Sequence, residues 1–187
     1  MLDEIDKILV AELQKDGRKP LLQIAKRVGI SHVAVKKRLS KLLKRGVVSF
    51  SASLNPEALG AKIATVTVEV ENYARLKELM DMYKECPRTV FLAPLSGSDL
   101  MSVIIGVDLS TLERVVGVCS LRAQRGIRRS EVHIGNTPTY PRFLPIRITT
   151  PRSSQTAPCS ARCDRCDSFT NRECVGCPAT KFYHGPL

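Results

Sequence analysis

The chain of 187 residues contains no tryptophan, only three histidines and no long hydrophobic run. No apolar stretch approaches the ~18 residues that a membrane-spanning helix needs, and the acidic, amphipathic start is unlike a secretory signal. We therefore expect a cytoplasmic protein. Acidic residues are also scarce, since 18 aspartates and glutamates stand against 29 lysines and arginines, and the formal net charge is +11. A chain this basic is typical of proteins that bind a polyanion such as DNA or RNA.

The usual signatures of catalysis are missing as well. We find no paired carboxylates in a pocket-like context, no glycine-rich phosphate loop and no nucleophile elbow. Of the three histidines, His32 and His184 lie near the two ends of the chain, which leaves His133 alone in the middle. A lone histidine in a strand is more often structural than catalytic. The sequence therefore predicts that the protein is not an enzyme.

The first 60 residues predict three helices followed by a short extended segment. Apolar residues recur at helical spacing over 5–13 and 21–28. Ser31 is a favourable N-cap for a third helix, which Gly46 ends. One face of that helix is apolar and its other faces are basic, with no acidic residue between 31 and 45.

Two short helices followed by a basic helix are typical of a helix-turn-helix (winged-helix-like) DNA-binding domain, which we assign to residues 1–60. The third helix would bury its apolar face on the first two and place its N-terminal part in the major groove. The alternative is a small helical bundle whose basic face is merely solvated. The candidate DNA-binding residues are Ser31, Val33 and Ser40, with His32, Lys36 and Lys37 better placed to contact bases and Lys41, Lys44 and Arg45 to contact phosphates.

Residues 61–135 predict a second domain of different character. Alternation from Ile63 to Val70 is typical of a half-buried strand, and the patterns that follow predict helix, strand, strand, helix and strand. The second of these helices is predicted from Ser110 to about Gln124. The order β-α-β-β-α-β is that of a ferredoxin-like α+β domain. One face of such an antiparallel sheet is left for a partner subunit, so we expect this domain to assemble copies of the chain.

Residues 136–158 contain five prolines and little periodicity, and we interpret them as a proline-rich linker with one apolar segment, 143–146, suited to docking.

Residues 159–187 form a cysteine-rich module that holds five of the seven cysteines, at the spacing C-x3-C-x2-C-x7-C-x2-C. Clustered cysteines of an intracellular protein are metal ligands before they are disulfides. A segment with so few apolar residues cannot fold on core burial alone, so metal binding would supply the folding energy.

Two kinds of metal centre fit this spacing. The two C-x2-C pairs can bring four thiolates to one tetrahedral zinc ion, with Cys159 spare. Alternatively, the first three cysteines place three thiolates together for a [4Fe–4S] cluster, and Cys177-Pro178 resembles the Cys-Pro of ferredoxin ligand runs. Both alternatives stay open. The candidate metal ligands are Cys159, Cys163, Cys166, Cys174 and Cys177.

The remaining two cysteines, Cys86 and Cys119, lie in or next to the predicted helices of the second domain. A buried free cysteine commonly behaves as a small hydrophobic residue. We therefore interpret both as core residues.

Several short motifs run through the first 60 residues: Leu2-Asp3-x-x-Asp6, Asp16-Gly17-Arg18, Ile24-Ala25 before Gly29-Ile30-Ser31, and Arg38-x-x-x-Leu42 before Gly46-Val47-Val48. In these motifs the segment resembles the N-terminal domain of the Lrp/AsnC (feast/famine) transcription regulators. The second domain resembles the ligand-sensing domain of that family, with Gly97-Ser98-Asp99 at a family turn, here one residue shorter, and Gly126-Ile127 before the last strand.

This resemblance implies dimers built through the sheet domain and often assembled into octamers. It also implies an amino acid or similar small effector bound near Gly97, Ser98 and Asp99. The architecture is similar to that of the siroheme decarboxylases too, which implies an alternative function as an enzyme with histidine and arginine in the sheet-domain pocket. Together these features predict a sequence-specific DNA-binding transcription regulator with a cysteine-rich tail suited to sensing metal or redox state.

Overall fold

The computed structural model describes residues 2–186, which divide into two units between Ala52 and Ser53. The division precedes the boundary predicted at residue 60, because Leu54 and Leu59 pack against buried residues of the second unit. No helix among the described residues is long and apolar enough to cross a membrane.

The first unit consists of three helices: α1 (Glu4–Lys15), α2 (Leu21–Val28) and α3 (His32–Lys44). Each helix buries one apolar face, and Leu9, Ile24, Val35 and Leu42 form the centre of the shared core. Gly29 ends α2 in the left-handed conformation, with φ of 70°, which a glycine adopts without strain. The segment that follows α3 forms no strand over 47–53.

Charged groups link the three helices of this unit. Arg38 on α3 donates to the carboxylates of Asp3, at 2.5 Å, and Asp6, at 2.9 Å, at the start of α1. Glu12 on α1 is buried and contacts Lys19, which precedes α2, and Arg27 within α2. The Arg38 pairs join α3 to the start of α1, and the Glu12 pairs join α1 to α2.

The second unit is built on a four-stranded antiparallel sheet, which confirms the predicted α+β class and its βαββαβ order. The elements are β1 (Lys62–Val70), α4 (Tyr73–Tyr83), β2 (Thr89–Pro94), β3 (Asp99–Gly106), α5 (Leu109–Val118) and β4 (Ile127–Gly135), and the strand order is β2-β3-β1-β4. The helix predicted to reach Gln124 ends earlier, because Ser120 is extended and a separate 3-10 turn follows at Leu121–Ala123.

The two faces of the sheet differ in what covers them. Alternate residues of β1, from Ala64 to Val70, are fully buried together with residues of α4 and α5. The opposite face carries Thr65, which is in register with Val103 on one side and His133 on the other. Phe91, in register with Val103, is 51% exposed on this open face.

The C-terminal segment packs on the sheet unit rather than forming a free linker. Leu144 and Ile146 are buried beside Ala61 and Ile105, and Leu144 forms a backbone bridge with Leu54. The structure thus differs from the tether expected for 136–158, apart from the docking of its apolar segment. The tail beyond it contains a 3-10 turn, Cys163–Arg165, and one short helix, α6 (Asp167–Thr170).

Candidate functional sites: a basic helix and a cysteine-lined cavity

The candidate DNA-binding residues lie together on the exposed side of α3. Val35 and Leu42 are buried against α1 and α2, which turns the opposite side of the helix outward. All nine predicted residues are exposed: Ser31, His32, Val33, Lys36, Lys37, Ser40, Lys41, Lys44 and Arg45.

The N-terminal end of α3 is suited to approach DNA. The Ser31 side chain caps the helix, because its hydroxyl accepts the backbone N–H of Ala34 at 3.1 Å. The hydroxyl of Ser31 is therefore engaged in capping, whereas His32 and Val33, in the first turn, present their side chains to solvent. Arg38 is held by the carboxylates of Asp3 and Asp6, so the exposed lysines and Arg45 carry the outward charge of this surface.

The second site is a cavity of about 470 Å³ in the sheet unit, here called the cysteine cavity. Its walls come from α4, α5 and the tail. It is lined by every cysteine of the chain: Cys86, Cys119, Cys159, Cys163, Cys166, Cys174 and Cys177. All seven are free thiols.

The interpretation of Cys86 and Cys119 as core residues was incomplete. Both pack against the main core, but both are only partly buried and face the same cavity as the tail cysteines. Their positions in the sequence gave no spacing signal, because they are 33 residues apart from each other and far from the tail.

The tail turns its thiols inward through tight backbone geometry. Gly176, between Cys174 and Cys177, has φ of 86°, and a side chain there would clash with the carbonyl of Phe182. The next backbone N–H, that of Cys177, donates to the sulfur of Cys163 at 3.3 Å. This hydrogen bond brings the two C-x2-C pairs next to each other, but their four thiols, all within the described residues, do not meet at the single point that the spacing predicted.

A buried arginine joins the tail to the sheet. The Arg88 guanidinium donates to the carbonyl of Gly176 at 2.6 Å and, more weakly, to that of Ile105 at 3.4 Å. At the surface, Arg114 of α5 pairs with Glu173 of the tail at 3.2 Å. These contacts hold the tail against α5 and β3.

Burial raises the pKa of four of the thiols that line the cavity. Loss of hydration raises the pKa of Cys119 and of Cys177 to about 12, and neighbouring thiols add to the effect at Cys119. Burial also raises the pKa of Cys159 and Cys174. Thiolates are the metal-binding form, so a metal that binds here must displace these protons.

The thiols surround the cavity without converging on one point. Within residues 2–186, no group of three or more histidine, cysteine or acidic side chains is arranged to hold a single metal ion. Arg88, Arg162 and Arg165 contribute positive charge to the lining, and Asp167 adds one carboxylate.

The turn predicted to bind an effector lies between β2 and β3. Gly97 has φ of 73°, and the carbonyl of Ser98 accepts the N–H of Val70 at 3.0 Å. Asp99 lines a cavity of about 180 Å³ together with Glu69 and Arg129, whereas the other two residues of the turn are not in its lining. The structure therefore brings Asp99, but neither Gly97 nor Ser98, to a charged cavity.

Comparison with known protein families places the first unit clearly. Residues 2–43 match the AsnC-type helix-turn-helix domain. Over 117 residues the chain is 34% identical to the HTH-type transcriptional regulator LrpA of Pyrococcus horikoshii, and the match covers 60% of this chain and 83% of that protein.

Solved structures share the architecture. The leucine response regulatory protein LrpA of Mycobacterium tuberculosis superposes with a TM-score of 0.63 at 28% identity, over 78% of this chain and all of that chain. AsnC of E. coli superposes with a TM-score of 0.62 at 15% identity, over 72% of this chain and 91% of that one, which shows likeness of fold alone.

Proposed function

The chain belongs to the Lrp/AsnC family of helix-turn-helix transcriptional regulators, and from this premise we propose that α3 recognises a specific operator while the tail reports metal or redox state. The observation that carries the DNA-binding part is the exposure of all nine candidate residues on one side of a helix whose other side is buried. The family membership and the basic surface support the same conclusion.

The two ends of α3 would make different kinds of contact with DNA. His32, Lys36 and Lys37 lie in its N-terminal half, the part that reaches base edges when such a helix enters the major groove. Lys41, Lys44 and Arg45 lie at its C-terminal end and would contact phosphates, which gives affinity that depends on salt but not on sequence.

We propose that the open face of the sheet joins two copies of the chain. Phe91 and Val103 form an apolar centre on this face, with Thr65 beside them, and homodimer interfaces commonly have such an apolar centre. Two-fold symmetry then predicts an operator that is an inverted repeat, with half-sites about one helical turn apart. Assembly of dimers into octamers remains part of this proposal.

An amino acid is the effector class that the cavity beside Asp99 would accept. The ammonium group of such a ligand would pair with Glu69 or Asp99, and its carboxylate with Arg129. The name of the leucine response regulatory protein of M. tuberculosis, which has the same fold, is consistent with this class.

The tail is proposed as a metal-binding module whose ligands come from the cysteine cavity. The alternative function as a siroheme decarboxylase has no such support. His133 is largely exposed on β4, and its Nε2 lies 3.2 Å from a carboxylate oxygen of Glu131. The relatives reported above are named as regulators, so we expect no catalytic activity.

Selection from a pool of randomised duplexes tests the DNA-binding function. We expect the purified protein to enrich one inverted repeat and to retard it in a gel at physiological salt far more strongly than scrambled duplex. Equal retardation of every duplex would show that α3 binds DNA without sequence specificity and would contradict the proposal.

A further inference from the structure

We propose that the cysteine cavity binds a [4Fe–4S] cluster and that Cys119, the C-cap residue of α5, is one of its ligands. This inference rests on the metal-binding part of the proposed function and deepens it. The cluster would be held jointly by the tail and by the sheet domain, whereas the cysteine spacing in the sequence predicts every ligand in the tail.

The size of the cavity suits a group larger than a single ion. Zinc holds its four sulfurs ~2.3 Å from one centre, so the sulfurs of such a site nearly touch each other. Here the thiols surround about 470 Å³, and within the described part of the chain no three ligand side chains converge on one position. In an iron–sulfur cluster, sulfides bridge the irons, so the cysteine sulfurs stand farther apart around a larger group.

The donor set is the one that such a cluster uses. Clusters of this class are bound by four cysteine thiolates, and the cavity offers seven thiols with no histidine in its lining. The sulfur of Cys163 accepts a backbone N–H from Cys177, and hydrogen bonds to ligand sulfurs help to set the potential of a cluster.

The remaining lining suits a group of net negative charge. Four thiolates make the cluster anionic, and Arg88 and Arg165 bring positive charge to the same walls, where Asp167 offsets one charge and Arg162 is paired with Asp164. Ile104 and Phe169 belong to the apolar part of the lining, which limits access of water.

Cys119 is the ligand that we assign to the body of the sheet unit. Its side chain lines the same cavity as the tail cysteines Cys159, Cys163, Cys166 and Cys174. Its backbone is fixed, because the Tyr83 hydroxyl donates to the Cys119 carbonyl at 2.7 Å. As each iron–sulfur bond forms, the ligating thiol releases its proton to water, and the cluster then links α5 covalently to the tail.

The first test uses the full-length protein, purified without oxygen and reconstituted with ferrous iron and sulfide. We expect about four irons and four acid-labile sulfides per chain, with visible absorption that dithionite bleaches. Zinc or copper bound without sulfide, or a protein that takes up no iron when iron and sulfide are supplied, would overturn the proposal.

The second test examines the body ligand. Cys119→Ser should lower the iron content or change the electron paramagnetic resonance spectrum of the reduced cluster, while Leu109→Ser at the other end of α5 should do neither. In the wild type, alkylation followed by peptide mass spectrometry should label Cys119 only after a chelator removes iron, a measurement that needs no variant. Unchanged iron and spectrum in C119S, or labelling of Cys119 in the loaded protein, would rule out this ligand.

The same samples are tested for operator binding, which separates the two proposals. A protein that holds an intact cluster but does not bind the selected operator would contradict the DNA-binding function alone. A protein that binds the operator but takes up no iron counts against the cluster alone.

Discussion

At the scale of single residues, Glu12 shows how one buried carboxylate stabilises the DNA-binding unit. Its side chain is 2% exposed and contacts Lys15, Lys19 and Arg27. The hydrogen bond from Lys19 is the main reason that the pKa of Glu12 lies below its usual value of 4.5, and the nearby Arg27 adds to it. A carboxyl group with a lowered pKa stabilises the fold fully above its unfolded pKa, and this contribution is lost as the pH falls through the folded pKa.

We therefore expect α1–α3 to lose stability as the pH falls below 4.5. Glu12→Gln should weaken the unit at pH 7 and flatten this dependence, because the amide does not titrate. Hydrogen-exchange protection of the α1–α3 amides, measured at both ends of the pH range, checks the prediction. Glu4→Gln, which removes an exposed pair with Lys7, is the control and should change little. A similar effect of both variants would contradict the role assigned to Glu12.

At the scale of elements, substitutions in the two halves of α3 should affect DNA binding in different ways. Lys41→Ala with Lys44→Ala should weaken binding to all duplexes and reduce the salt dependence by about one unit of slope per lysine. Lys36→Ala with Lys37→Ala should instead lower the preference for the selected operator over scrambled duplex. Titrations of both duplexes at several salt concentrations separate the two effects.

The matched control for these pairs is Lys77→Ala with Lys84→Ala, which removes the same charge from exposed positions on and just after α4. It should leave binding to both duplexes close to wild type. If all three double variants behave alike, net charge governs binding and α3 has no special part in it.

The elements also show what could be predicted from the sequence. The three helices of the first unit and the βαββαβ order were predicted because hydrophobic period, caps and turn glycines are local signals. The end of α5 was misplaced, since the apolar pattern continues through Leu121 after the backbone has left the helix at Ser120. The cysteine cavity could not be predicted as a whole. Cys119 and the tail cysteines line it together only because contacts between residues far apart in the sequence, such as that of Arg88 with Gly176, pack the tail on the sheet unit.

At the scale of the whole molecule, the open sheet face predicts the oligomeric state. Val103→Lys places a charge at the apolar centre of that face, so we expect the dimer to dissociate and affinity for an inverted repeat to fall. Analytical ultracentrifugation measures the first effect and gel retardation the second. Leu109→Lys, at an exposed position on the other side of the sheet, should sediment like the wild type. A Val103→Lys protein that still sediments as a dimer would place the interface elsewhere.

The segments that line the cysteine cavity are far apart in the sequence, so they are synthesised at different times. During translation, α1–α3 emerge first, then α4 and α5 with Cys86 and Cys119 beyond their C-terminal ends, and the tail thiols follow after residue 158. Domains generally fold as units in the order in which they leave the ribosome. A nascent chain therefore has a folded helix-turn-helix unit before the cysteine cavity has walls on every side, and newly made protein passes through a stage in which its first unit is complete while the thiols of its second unit are still open to solvent.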